Sequence, residues 1–128
     1  MSDTAAVILL VEGDIVVRHP LAQYLRECGF KVIEAASGEE AMQSLSAAGI
    51  VIDVVLADMT TTGSGFALRQ WIQTRNPAVQ VILAGSIEKA VDKAGGLCNE
   101  GPALAKPWDH RLVLDQIRRS LAKRAPRS

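Results

Sequence analysis

Cysteine is scarce in this sequence, which has two such residues, Cys28 and Cys98, far apart in a chain of 128 residues. Their spacing matches neither a Cys-x-x-Cys redox pair nor a zinc-binding pattern. We therefore expect two reduced, structural thiols rather than a redox centre or a zinc site.

Long apolar runs are also missing, since none approaches the length of a membrane span. Near the N-terminus the acid Asp3 stands where a secretory signal would carry basic residues. We therefore expect a cytoplasmic protein without a membrane partner. Its length and its hydrophobic fraction of 48% are those of one ordinary globular domain.

The net charge is zero, but the charges are unevenly spread along the chain. Acids outnumber Lys and Arg nine to three over residues 1–60, and bases outnumber acids seven to two over residues 106–128. The acidic part could hold a cation, and the basic part fits either an acidic partner or the solvated face of a last helix. Without aromatic residues interleaved among these bases, we expect no direct nucleic-acid binding.

Apolar runs alternate with stretches of helical periodicity five times, a pattern typical of a parallel sheet with helices on both faces. The expected strands are Val7–Val11, Lys31–Ala35, Ile52–Asp58, Val79–Leu83 and Ala103–Ala105. We expect a disordered N-terminus at residues 1–5, one domain over residues 6–122 and a basic tail at residues 123–128.

Helices are expected between these strands, each with a recognisable start or stop. Asp14 and Asp109 are candidate caps of the first and last helices, and Pro20 predicts either a kink or a late start in the first. The remaining expectations are a Gly29 stop, a Ser37-x-x-Glu40 capping box before a helix to Ala48, a helix from Phe66 to Arg75, a short helix at about Ile87–Lys93 and a mobile loop at 95–102.

Two acids and a lysine follow three of the expected strands. Glu12 comes after the first strand, Asp58 ends the third and Lys106 follows the fifth. Because the carboxyl ends of parallel strands meet at one edge of the sheet, we expect these side chains to surround one point. Two carboxylates that converge there would repel each other, which favours a cation between them, either Lys106 or a metal ion.

Three segments of the sequence resemble motifs of the receiver domain of two-component response regulators. Val11-Glu12-Gly13-Asp14 is similar to the family's acidic turn, Asp58 stands where the phosphoryl-accepting aspartate closes the third strand, and Lys106-Pro107-Trp108-Asp109 resembles its Lys-Pro-aromatic signature. The resemblance covers nearly the whole chain. It implies a flavodoxin-like fold, a three-layer sandwich with five parallel strands in order 2-1-3-4-5.

The resemblance also implies phosphoryl transfer to Asp58 from a sensor histidine kinase or a histidine phosphotransfer protein, with Lys106 and Mg²⁺ as the cations. The implied magnesium ligands are Glu12, Asp58 and the backbone carbonyl of Thr60. The family's second metal-binding acid is Gly13 here, so we expect weak magnesium binding. Asp14 is a further candidate ligand, although its expected use is as the helix cap.

Two positions that convert phosphorylation into a shape change also depart from the family. Ala84 replaces the switch Thr or Ser after the fourth strand, and Ala103 replaces the switch aromatic. We expect a stand-alone receiver that signals to a downstream protein, with a homodimer left open. The alternative is a phosphorylation-independent pseudo-receiver, a protein-interaction module bound through the face formed by residues 87–122.

An enzyme of the haloacid-dehalogenase phosphatase type would also form an aspartyl phosphate. Such an enzyme needs a second Asp two residues after the first as its acid and base. Thr60 occupies that position here. We therefore expect no enzymatic activity of this kind.

Overall fold

The computed structural model describes residues 6–47, 49–58, 65–85, 104–105 and 109–123, with the backbone alone given for 65–66, 85 and 104–105. The strands within these ranges are β1 (Val7–Val11), β2 (Lys31–Ala35), β3 (Val54–Asp58), β4 (Gln80–Gly85) and β5 (Leu104–Ala105). All adjacent strands pair in parallel, in the order β2-β1-β3-β4-β5. The predicted flavodoxin-like sheet and its strand order are confirmed.

The ends of β3 and β4 differ from the prediction. β3 begins at Val54 rather than at Ile52. The residue before it, Asp53, is bound to Val7 twice: its N–H donates to the Val7 carbonyl at 2.9 Å, and its carboxylate accepts from the Val7 N–H at 2.8 Å. β4 continues through Ala84 to Gly85, beyond the predicted end at Leu83. Ala84 therefore lies inside the sheet rather than after it.

The first helix, α1 (Ile15–Glu27), begins and ends as its sequence predicts. The Asp14 carboxylate accepts a hydrogen bond from the Val16 N–H at 2.9 Å and caps the helix. Gly29 follows the helix with a φ of 101°, a conformation that favours glycine. Of the two alternatives predicted for Pro20, the late start is wrong, because the helix runs through this residue. Proline has no N–H to donate to the Val16 carbonyl four residues earlier. Pro20 and Val16 are both exposed, so water can reach that carbonyl.

The second helix, α2 (Gly38–Ser46), has a modified form of the predicted capping box. Ser37 Oγ accepts a hydrogen bond from the Glu40 N–H at 3.2 Å, but the Glu40 carboxylate accepts from Ala36 N–H at 2.7 Å rather than from Ser37 N–H. The helix ends at Ser46, two residues before the predicted end at Ala48.

Two further helices complete the described part of the fold, α3 (Gly65–Arg75) and α4 (His110–Lys123). The predicted cap of α4 is present, since the Asp109 carboxylate accepts hydrogen bonds from the N–H groups of Arg111 and Leu112 at 3.0 and 3.1 Å. No helix in the described ranges has the length and apolar character needed to span a membrane.

The sheet separates two hydrophobic cores, one on each face. Leu10, Leu56 and Ile117 belong to the core under α1 and α4. Leu9, Val55 and Ile72 belong to the core under α2 and α3. Because every residue of β3 is buried, this strand is covered on both sides and gives the sheet its rigid centre.

Several predictions fall outside the described residues: the helix at 87–93, the loop at 95–102, and the termini at 1–5 and 124–128. The proposed domain boundaries also stay predictions.

Candidate functional site

Asp58 is the last residue of the fully buried strand β3 and is itself only 2% exposed. Its neighbours in the sheet are β1 on one side and β4 on the other. Burying a carboxylate costs free energy unless charged or polar groups compensate. The position of Asp58 at the carboxyl edge of the sheet therefore marks it for a role in binding or chemistry.

Glu12 is the second buried carboxylate at this edge, with 3% of its surface exposed. It directly follows Val11, which pairs with Ala57, so Glu12 and Asp58 each lie one residue beyond a paired position on neighbouring strands. Such strands lie about 4.8 Å apart. The structure thus brings the two predicted acids together at one edge of the sheet.

Gly13 and Asp14 complete the turn after β1, and both are exposed. The Asp14 N–H donates a hydrogen bond to the Glu12 carboxylate at 3.1 Å, while the Asp14 carboxylate caps α1. Gly13 contributes no side chain to the site. The cap that the sequence predicts for Asp14 is present, and its role as a metal ligand stays a prediction.

The two carboxylates fit a magnesium ion. Mg²⁺ prefers oxygen ligands and is usually held by one or two carboxylates together with water and substrate oxygens. In the described ranges no three acid, histidine or cysteine side chains cluster into a metal site, so the set here is the pair Glu12 and Asp58. Both also take part in other contacts of the fold. A magnesium ion at this edge would be held by Glu12 and Asp58.

Ala84 is the direct neighbour of Asp58 in the sheet, since the two residues pair in register between β3 and β4. Its methyl group is fully buried. A side chain without a hydroxyl cannot donate a hydrogen bond to a group attached at Asp58. The structure therefore places an inert residue beside the candidate acceptor.

Three other predicted site residues lie outside the described residues: Thr60, Ala103 and Lys106. Lys106 directly follows Ala105, the last residue of β5, which pairs with Gly85 of β4. The roles predicted for these three residues remain predictions.

Sequence reasoning missed a charged cluster around Glu34 of β2. The Glu34 carboxylate contacts Arg18 Nε at 2.9 Å, His19 Nδ1 at 3.2 Å and Arg26 Nη1 at 3.2 Å. Partial burial would by itself raise the pKa of Glu34, but the hydrogen bonds from the two arginines and the histidine outweigh it and hold this pKa below its ordinary value. The available signal was the acid Glu34 between apolar residues of β2.

Comparison with known proteins decides the family. Residues 8–118 match the family model described as the response regulator receiver domain. This chain belongs to the response regulator receiver domain family. The receiver domain so identified has the fold, the strand order and the acidic strand ends described above, and its family acts in two-component signalling.

Curated relatives match the receiver domain over nearly its whole length. A cyclic di-GMP phosphodiesterase of Thermotoga maritima is 35% identical over 123 residues, which cover 91% of this chain and 31% of that protein. The response regulator protein FleR of Pseudomonas aeruginosa is 33% identical over 127 residues, which cover 97% of this chain and 26% of that protein. The chain thus spans about a third of the first relative and about a quarter of the second.

Solved structures share the fold. The receiver domain protein from Clostridium thermocellum has a TM-score of 0.76 at 24% identity, covering 92% of this chain and 95% of its own. The chemotaxis response regulator CheY4 of Vibrio cholerae has a TM-score of 0.74 at 22% identity, covering 92% of this chain and 100% of its own. At these identities the likeness supports the fold alone.

Proposed function

We propose that this receiver domain accepts a phosphoryl group on Asp58 from a phosphohistidine of a sensor histidine kinase or histidine phosphotransfer protein, with Mg²⁺, and signals by binding a downstream protein. The observation that best supports the proposal is the position of Asp58, a buried carboxylate at the end of β3 beside Glu12. A cytoplasmic location remains a prediction from the sequence.

The proposed step is a transfer between two nucleophiles. A carboxylate oxygen of Asp58 forms a bond to phosphorus while the bond from phosphorus to the histidine nitrogen breaks, and the leaving imidazole keeps that electron pair. An anion approaches an anion in this step, so positive charge is needed on the transferring oxygens. Mg²⁺ held by Glu12 and Asp58 would supply part of that charge, and Lys106 is the predicted source of the rest.

Besides the nucleophile Asp58, the chain contributes the positions of the reacting groups. Asp58 is fixed by a strand buried on both faces, and the Glu12 N–H donates a hydrogen bond to the Ala35 carbonyl of β2 at 3.0 Å. The backbones that carry both carboxylates are therefore fixed by the sheet before the phosphoryl donor arrives, which lowers the cost of ordering the site during the reaction.

The output of phosphorylation should be weak, because Ala84 stands in register with Asp58. A hydrogen bond to a charged group contributes about 1.5 to 3 kcal/mol, so its absence removes roughly ten- to 150-fold of the bias toward an activated state. The same observation favours the second candidate function, a module that binds its partner independently of phosphorylation.

Phosphorylation is tested with a small phosphodonor and Mg²⁺, followed by intact-protein mass spectrometry. We expect the wild type to gain the mass of one phosphoryl group and Asp58→Asn to gain none. Asp53→Asn is the matched control, since Asp53 is also buried, at 4% exposure, but lies before the opposite end of β3. Asn can still accept the hydrogen bond from the Val7 N–H, so this variant should be phosphorylated like the wild type.

An unmodified wild type, or equal modification of Asp58→Asn, would contradict the proposal. The affinity for a binding partner, measured with and without phosphorylation, separates the two candidate functions. Affinity that rises on phosphorylation supports signalling through Asp58, whereas equal affinity for the phosphorylated protein, the unmodified protein and Asp58→Asn supports the independent module.

A further inference from the structure

Arg18 of α1 connects the Glu34 cluster to the candidate site. Its Nη1 donates a hydrogen bond to the backbone carbonyl of Glu12 at 2.8 Å, and its Nε donates to the Glu34 carboxylate at 2.9 Å. One guanidinium group therefore joins the turn that carries a predicted metal ligand to strand β2.

The surroundings of this guanidinium make it a strong and directional contact. The Arg18 side chain is 12% exposed and that of Glu34 is 18% exposed, so both charges are largely withdrawn from water. Charge-assisted hydrogen bonds in such places are about twice as strong as neutral ones. The planar guanidinium also fixes the direction of both bonds, which a lysine ammonium would not do.

Glu12 is consequently held to β2 at both ends of its backbone. Its N–H donates to the Ala35 carbonyl at 3.0 Å, and its carbonyl is bound by Arg18, which is itself bound to Glu34 of the same strand. The Arg18 N–H donates to the Asp14 carbonyl at 2.8 Å, the first hydrogen bond of helix α1, so Arg18 lies in the first turn of the helix that follows Glu12.

We infer that Arg18 is a positioning residue, which orients Glu12 for magnesium through the Glu12 carbonyl and is itself held in place by Glu34. This inference rests on the proposed function. It matters here because Gly13 adds no carboxylate to the pair Glu12 and Asp58, so magnesium binding depends on the placement of Glu12.

Arg26 provides a matched control for Arg18. Its Nη1 contacts the same Glu34 carboxylate at 3.2 Å, but its Nη2 donates to the Val32 carbonyl at 2.9 Å and not to Glu12. Arg18→Met and Arg26→Met thus each remove one arginine from Glu34, and Arg18→Met alone also releases the Glu12 carbonyl.

The two variants are compared by calorimetric titration with Mg²⁺ and by amide hydrogen exchange of Gly13 and Asp14 in the metal-free protein. Loss of groups that orient metal ligands typically weakens binding by 10- to 100-fold, so we expect Arg18→Met to bind Mg²⁺ about tenfold more weakly. Its two turn amides should also exchange faster. Arg26→Met should match the wild type in both measurements. If Arg18→Met does not fold, Arg18→Lys is used instead. It keeps the positive charge but lacks the planar guanidinium that bonds Glu12 and Glu34 together, so its Mg²⁺ affinity should still fall.

Wild-type affinity and exchange in the Arg18 variant, or equal losses in the Arg18 and Arg26 variants, would overturn the inference. The exchange experiment uses neither metal nor phosphate, so it can be separated from the proposed function. If Asp58 takes up phosphate and the two variants behave alike, the inference alone is wrong. A different result separates the two proposals in the other direction. If the wild type takes up no phosphate on Asp58, but Arg18→Met alone shows faster amide exchange and weaker Mg²⁺ binding, the proposed function is wrong and the positioning role holds.

Discussion

Gly13 is the residue that most limits the candidate magnesium site. It is exposed and lies next to Glu12, yet its side chain offers no ligand. A carboxylate at this position would add both negative charge and a ligand oxygen beside Glu12. We therefore expect missing charge at position 13 to limit magnesium binding.

Gly13→Asp should strengthen magnesium binding by about tenfold or more, since an added carboxylate supplies both charge and a ligand oxygen. Without metal the same variant should have a lower melting temperature, because the new charge lies beside Glu12, Asp14 and Asp58. Titration calorimetry and thermal unfolding with and without Mg²⁺ measure both effects. Gly13→Asn is the control that adds bulk without charge. Equal affinities for the Asp and Asn variants would show that charge at this position does not limit binding.

At the scale of the elements, Glu34 joins α1 to β2 through charged hydrogen bonds. Glu34→Gln should lower the free energy of unfolding by about 1 to 2 kcal/mol at neutral pH, since hydrogen bonds to charged groups contribute most when they are withdrawn from water. The measurement is urea unfolding of both proteins at a series of pH values.

The pH dependence of this difference follows from the lowered pKa of Glu34. The folded protein holds the carboxyl ionised to a lower pH than the unfolded chain does, so the stabilisation is complete above the pKa of the unfolded state. It should shrink as the pH falls below about 4.3, the ordinary value for glutamate. A difference between wild type and Glu34→Gln that stays constant down to pH 3 would contradict the assignment.

At the scale of the whole molecule, the sheet divides the interior into two cores. Ile72 of α3 and Ile117 of α4 are both fully buried, one in each core. We expect Ile72→Val and Ile117→Val each to lower the free energy of unfolding by about 1 kcal/mol and their effects to add within about 0.5 kcal/mol, because the two side chains belong to separate cores. Chemical denaturation of the single and double variants tests this. A larger coupling energy would mean that the strands transmit packing changes from face to face.

Local sequence signals predicted most of this molecule correctly. The caps at Asp14 and Asp109 depend on residues two or three positions away, and the alternating pattern indicates a parallel sheet with helices on both faces. The strand order was implied by the resemblance to receiver domains and is confirmed. The edge that brings Glu12 beside Asp58 follows from that topology.

The errors occur where distant residues decide the structure. Just before β3 starts at Val54, the Asp53 carboxylate is bound to Val7, 46 residues away in the sequence. The cluster at Glu34 joins side chains that are 8 and 16 residues apart, which no local pattern encodes. The contact of Arg18 with Glu12 depends on that cluster and was therefore also missed.

The contact between Arg26 and Val32 has a consequence for how the molecule resists self-association. β2 is an outer strand, and the N–H of Lys31 points to β1, where it donates to the Ala6 carbonyl. The backbone N–H and C=O of the next residue, Val32, therefore point away from β1. Unpaired backbone groups at such an edge can form hydrogen bonds with a strand of another molecule. The Arg26 guanidinium already occupies the Val32 carbonyl at 2.9 Å. A charged side chain thus occupies one outward-facing backbone acceptor of this edge strand, a feature that protects edges from pairing with other molecules.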